Sequence, residues 1–194
     1  MKPGAWAPFT SVQHVEVWPP GFVWDARIRM APGPAVRDGY VRGTGTMAAA
    51  YAGPVPVVDE GGTPEMAAAS LLRYLAEAAW LPTALLPASG VAWEALGDSA
   101  ARATLADGAT RVSMDVFFGP QGGITRILAQ RPRDVDGVAA LTPWEGHFGD
   151  YERHGGMQIP MTARVGWILP QGRHDYFRGR ITAVEFDPAG PRQP

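Results

Sequence analysis

Glycine and proline interrupt this chain so often that only the stretch between Pro64 and Pro82 leaves room for a helix of several turns; 24 Gly and 19 Pro are spread over 194 residues. Proline lacks the backbone donor that a ladder or helix needs, and both residues favour tight turns, so short strands are expected and an all-α fold is disfavoured. The length suits a single domain with a real core, here residues 1–194, with a tail expected to fray from about residue 187. Hydrophobic residues make up 46% and charged residues 19%, and no run approaches the roughly 18 apolar residues of a spanning helix, so no membrane span is expected. The absence of cysteine removes disulfides, thiolate metal sites, cysteine nucleophiles and iron–sulfur clusters. A net charge of −2 without a basic stripe argues against nucleic acid as a partner. Lys2 is the only lysine, which disfavours Schiff-base chemistry. Residues 1–18 contain no unbroken apolar run of the signal-peptide type, and a cytoplasmic location is expected.

The helix is written in its ends. Thr63 is a good N-cap, Pro64 suits the first helical position, and Glu65 sits in the positive first turn. Ala68, Leu71, Leu72, Leu75, Ala78 and Ala79 then form one stripe, with Ser70, Arg73 and Glu77 on the other face. Pro82 and Pro87 stop it.

Nearly everything else alternates with a period of two. Phe22, Trp24, Ala26, Ile28 and Met30 share one strand face, and Asp25, Arg27 and Arg29 the other. Strands are expected at 91–96, 100–105, 110–118 and 124–130, joined by Gly97-Asp98-Ser99, Ala106-Asp107-Gly108 and Gly119-Pro120-Gln121-Gly122-Gly123. A last pair is expected at 162–169 and 176–186. The fold class is α+β: a single curved antiparallel sheet, an open half-barrel, with one main capping helix.

Four blocks in order carry a family resemblance: Pro8-Phe9-Thr10; Pro19-Pro20-Gly21-Phe22-Val23-Trp24; Leu72-Arg73-Tyr74-Leu75-Ala76-Glu77 with Trp80-Leu81-Pro82; and Tyr176-Phe177-Arg178-Gly179-Arg180-Ile181. Through them the chain resembles an uncharacterised bacterial family known only as a domain of unknown function. That resemblance implies a fold similar to the periplasmic lipoprotein-carrier (LolA-like) half-barrel, whose apolar hollow is closed by helices. It brings no catalytic residues. An enzyme of the violacein pathway is similar to the same half-barrel and works without a cofactor, which makes cofactor-free catalysis an alternative by analogy of fold alone.

Charges that share a strand side with apolar residues are the most informative, because an unpaired buried charge costs several kcal/mol (about 3–5 when a partner is lost). Arg126 alternates with Ile124 and Leu128, and Glu185 with Phe177, Ile181 and Ala183. Inside a hollow these two would pair or bind a polar ligand group; a rim ion pair, or a bulge that turns one outward, is the bland alternative. Tyr74 flanks the helical stripe and completes the candidate catalytic set, although core packing with a satisfied hydroxyl is the commoner outcome for such a residue. Trp24, Trp93, Met114, Phe118 and Trp167 lie on apolar strand sides and are the candidate ligand-binding wall. Residues 145–154 hold His147, His154, Glu145, Asp150 and Glu152, but their spacing matches no metal motif, so they are read as a solvated connection and no metal or cofactor is expected. Gly43-Thr44-Gly45 lacks the third glycine of a dinucleotide fingerprint and is read as a flexible strand position. The expected function is binding of a hydrophobic or aromatic small molecule; the alternative is a cofactor-independent cyclase, isomerase or lyase in which Glu185 moves a proton and Arg126 steadies an anion.

Overall fold

The computed structural model describes residues 6–30, 33–50 and 56–187. The chain divides into two compact units, residues 1–74 and 75–194. The class is α+β, antiparallel throughout with one main helix, but the strands form two open sheets of five and seven strands where one sheet was expected. Alternation reports which face a strand buries. It does not report which strand lies beside it across an inserted helix.

The five-stranded sheet runs in chain order: β1 (Phe9–Glu16), β2 (Gly21–Ile28), β3 (Ala35–Val41), β4 (Thr44–Ala50) and β5 (Pro56–Gly61). In β2 the expected parity holds along the strand, with Phe22 and Ala26 buried and Asp25 and Arg27 exposed, but Met30 lies beyond its end and is exposed. Asp25 forms a fork with Arg37 on β3, at 2.7 and 2.9 Å, and that guanidinium lowers the carboxyl pKa. Helix α1 (Pro64–Glu77) begins as expected, the Met66 amide donating to Thr63 Oγ1 at 3.1 Å. Its polar side is not solvated along its length, because Ser70 is 3% exposed. Gly45 explains this: a Cβ there would stand 2.5 Å from the Met66 carbonyl oxygen and 2.8 Å from Ser70 Oγ. The glycine read as a flexible strand position is the point where helix backbone lies against β4. Arg73 binds Asp38 of β3, and its guanidinium lies 4.9 Å from the ring centres of both Phe22 and Trp24.

Past the helix, single 3₁₀ turns at Ala78–Trp80, Pro82–Leu85 and Pro87–Ser89 replace further α-helix, as the prolines require. The seven-stranded sheet follows: β6 (Ala92–Gly97), β7 (Ala100–Asp107), β8 (Thr110–Phe118), β9 (Ile124–Val135), β10 (Val138–His154), β11 (Met157–Leu169) and β12 (Gly172–Arg180). Residues 145–154, read as a connection, are therefore the second half of the longest strand. Two tight hairpins frame it, Asp136-Gly137 with φ of 55° and 84° and Gly155-Gly156 with φ of 55° and 82°, the pattern whose twist matches paired strands. β12 starts earlier than expected and ends at Arg180, so the expected strand continuation to Phe186 is absent. Residues 188–194, most of the tail expected to fray, lie outside the described residues.

Register sorts this sheet into two faces. Trp93, Ala103 and Met114 stand in one row, and Val116, Ile127, Gly146 and Val165 in another on the same, apolar side. Glu94, Arg102 and Asp115 begin the opposite, charged side.

Candidate functional site

On the charged side a row crosses four strands: Arg126 of β9 opposite His147 of β10, His147 opposite Arg164 of β11, and Arg164 opposite Arg178 of β12. The neighbouring row holds Leu128, Glu145, Gly166 and Asp175. Glu145 is the buried centre, 9% exposed at mid-strand. Its carboxylate accepts from Arg126 Nε at 2.5 Å and from Arg173 Nη1, and His147 Nε2 lies 3.2 Å away. Arg173 Nε also donates to Asp175 Oδ1 at 2.5 Å, so one guanidinium ties the two carboxylates together. Gly166 makes that possible, since a Cβ there would come 2.6 Å from Asp175 Oδ1. Arg173 Nη2 is buried without an acceptor. An open groove of about 640 Å³ lies beside this network, lined by His147, Thr162, Arg164, Arg178 and Arg180. Although His147 faces Glu145, burial, Arg164 and Arg126 hold its imidazole below the usual range, against Asp175, because the Glu145 charge is already engaged by two arginines. Arg180 binds Asp150 at 3.0 Å, and Asp150 itself sits at a φ of 54°.

The residues expected from sequence are placed as follows. Arg126 is on the charged face and not in an apolar hollow, its guanidinium 4.6 Å from the Phe117 ring centre. The parity expectation fails at a bulge: Ile124 pairs with Phe118 and Arg126 with Phe117, so two residues two apart on β9 fall on opposite faces. Glu185 lies exposed beyond the last strand, and the carboxylate that meets Arg126 is Glu145. Tyr74 is 3% exposed, donates to the Val17 carbonyl at 3.3 Å, and burial raises its hydroxyl pKa to about 12. Trp24 packs edge-on against Phe9 at 5.9 Å under Arg73, in the five-stranded sheet. Trp93 and Phe118 meet at 6.3 Å, and Trp93 Nε1 donates to the Leu85 carbonyl at 2.9 Å. Met114 is 2% exposed and is packed core. Trp167 stacks on Tyr176 at 5.8 Å. Sequence reasoning missed Glu145, His147, Arg164 and Arg173 as a group; the Asp136-Gly137 and Gly155-Gly156 turns were the signal that would have put Glu145 at the middle of a strand. Among the described residues no three His, Asp or Glu side chains converge as a metal site, and no helix is long and apolar enough to cross a membrane.

No curated protein and no solved structure matches the chain. A family model does, over residues 1–186, nearly the whole length. The chain belongs to the family it describes, a family of unknown function, DUF6920.

Proposed function

We propose that the protein binds a small molecule through an oxyanion group, a phosphate or sulfate ester or a carboxylate, held on the charged face of the seven-stranded sheet by Arg164 and Arg178 beside His147. The observation that carries this reading is the direct cross-strand pairing of Arg164 with Arg178. Side by side on adjacent strands at one groove, the two side chains carry planar donor forks that suit a single oxyanion. Glu145 and Arg173 supply the frame that keeps Arg126 and His147 in place below the groove. Binding is favoured over proton transfer because the Glu145 carboxylate accepts from two guanidinium groups and is not offered to a substrate.

Sulfate is the first probe, since its charge does not change with pH. Amide resonances of β11 and β12 are expected to shift saturably with sulfate, and an organic phosphate such as phenyl phosphate is expected to compete. Arg164→Gln should weaken sulfate binding about tenfold, roughly 1.4 kcal/mol, without loss of folded signal. A linear, non-saturating shift in the wild-type protein, or equal affinity in the variant, would overturn the proposal.

A further inference from the structure

The apolar face of the same sheet carries a second arrangement that the charged groove does not use. Past Ala129, two arginines take up the apolar side of β9: Arg131 pairs with Thr142, and Arg133 with Ala140. They flank an aromatic cluster. Trp144 and Trp167 are direct cross-strand partners, and Tyr176 stacks on Trp167 at 5.8 Å with 24° between the planes. Arg131 lies 5.4 Å from the Trp144 ring centre and 6.0 Å from that of Trp167, and Arg133 lies 5.9 Å from Trp167.

We propose that this cluster is a binding site for an aromatic carboxylate, with the carboxylate between the guanidinium groups of Arg131 and Arg133 and the ring against Trp167. Three independent features support it. The first is unmet donor capacity: the Nε atoms of Arg131 and of Arg133 are both buried without an acceptor, and neither arginine has an ion pair among the described residues. Two guanidinium groups two residues apart on one strand start from Cα atoms roughly 6.6 Å apart, close enough to repel and to share one carboxylate. The nearby Asp134 is occupied at the turn, accepting from the Gly137 amide at 3.1 Å.

The second is a poised hydroxyl. Tyr176 Oη accepts from Trp144 Nε1 at 2.8 Å and from Arg131 Nη1 at 2.9 Å, which uses both of its lone pairs and leaves its own proton to donate. The third is how Tyr176 comes to be there. Val165 pairs with Phe177 and Gly166 with Asp175, so Tyr176 is the extra residue of a bulge. Bulges re-aim side chains, and this one turns Tyr176 onto Trp167. Trp144, 3% exposed, forms a floor, while Tyr176, 41% exposed, leaves an approach from solvent.

Calorimetry with benzoate tests the site, with the Trp144 indole N–H proton as a local reporter because Tyr176 accepts from it. Saturable benzoate binding that shifts this proton is expected, with benzamide at least tenfold weaker. Arg133→Gln should reduce benzoate affinity about tenfold, and Tyr176→Phe several-fold. Arg133 makes no hydrogen bond to the network, so its variant keeps the test open if Tyr176→Phe unfolds the cluster. The charged groove lies on the opposite side of the sheet, so the titration of the Trp144 proton, and not the total heat, reads the affinity of this site. Benzoate binding that is unchanged in Arg133→Gln, that benzamide matches, or that does not saturate would each overturn the proposal.

Discussion

Replacing Glu145 by Gln removes one charge and keeps the shape, which makes it the sharpest probe of the charged face. In the native protein the Glu145 side chain is 11% exposed, Arg173 24% and Arg126 37%. Removing one partner of a fully buried ion pair costs about 3–5 kcal/mol, and an exposed pair is worth roughly 0–1 kcal/mol. Glu145 stands near the buried limit, but solvent reaches Arg126 and the amide still accepts one hydrogen bond, so about 2 kcal/mol is expected. For a chain of this size that corresponds to a fall in Tm of roughly 4–8 °C. Urea unfolding of Glu145→Gln, Arg173→Gln and the double variant gives the coupling, expected at about 1–2 kcal/mol. The same cycle with Arg126→Gln should give less, because that guanidinium is the more exposed. A loss below about 0.5 kcal/mol, or a coupling no larger than that of the exposed pair Arg102 and Asp115, 2.7 Å apart, would refute the view that Glu145 organises this face.

Other expectations follow from single contacts. Gly45→Ala sets a methyl group 2.5 Å from the Met66 carbonyl, and a loss of about 2–3 kcal/mol in urea is expected; a neutral result would mean that α1 does not lie against β4. Thr63→Ala deletes the acceptor for the Met66 amide and should cost about 1 kcal/mol, with Thr63→Ser retaining most of it. His147 takes up its proton at lower pH when folded than when unfolded, where its pKa is about 6.5, so the unfolded state binds the extra proton first as pH falls. Stability should therefore drop as pH is lowered through and below that value. In His147→Asn that component should vanish, and parallel stability curves for the two proteins would remove it from the argument.

What could be read from the sequence depended on whether side chains carried the pattern. Thr63, Pro64 and Pro82 marked the helix because caps and breakers act locally, and the strands of residues 91–130 declared themselves by alternation between short turns. The centre of the candidate site did not. On β10 the apolar side runs through Trp144, Gly146 and Phe148, and Gly146 has no side chain to show, although a Cβ there would meet Ile127 Cγ1 at 2.9 Å. With that position blank, Glu145, His147 and their neighbours looked like a polar loop. Arg126 departs from its expected face for a different reason, the bulge beside Thr125, whose hydroxyl donates to the Phe117 carbonyl at 3.2 Å. One extra residue reverses every side-chain direction beyond it. The face expected for Glu185 requires β12 to continue past Arg180, where its pairing ends.

Both sheets pair each strand only with its neighbours in the chain. Each new strand thus closes a short loop onto one already made, and loop-closure entropy stays low at every step. Such a sheet can grow in the order of synthesis, without waiting for the far end of the chain. Its weak links are the turns: a residue that disfavours the backbone at Asp136-Gly137 would detach β10, and with it β11 and β12, from everything made before.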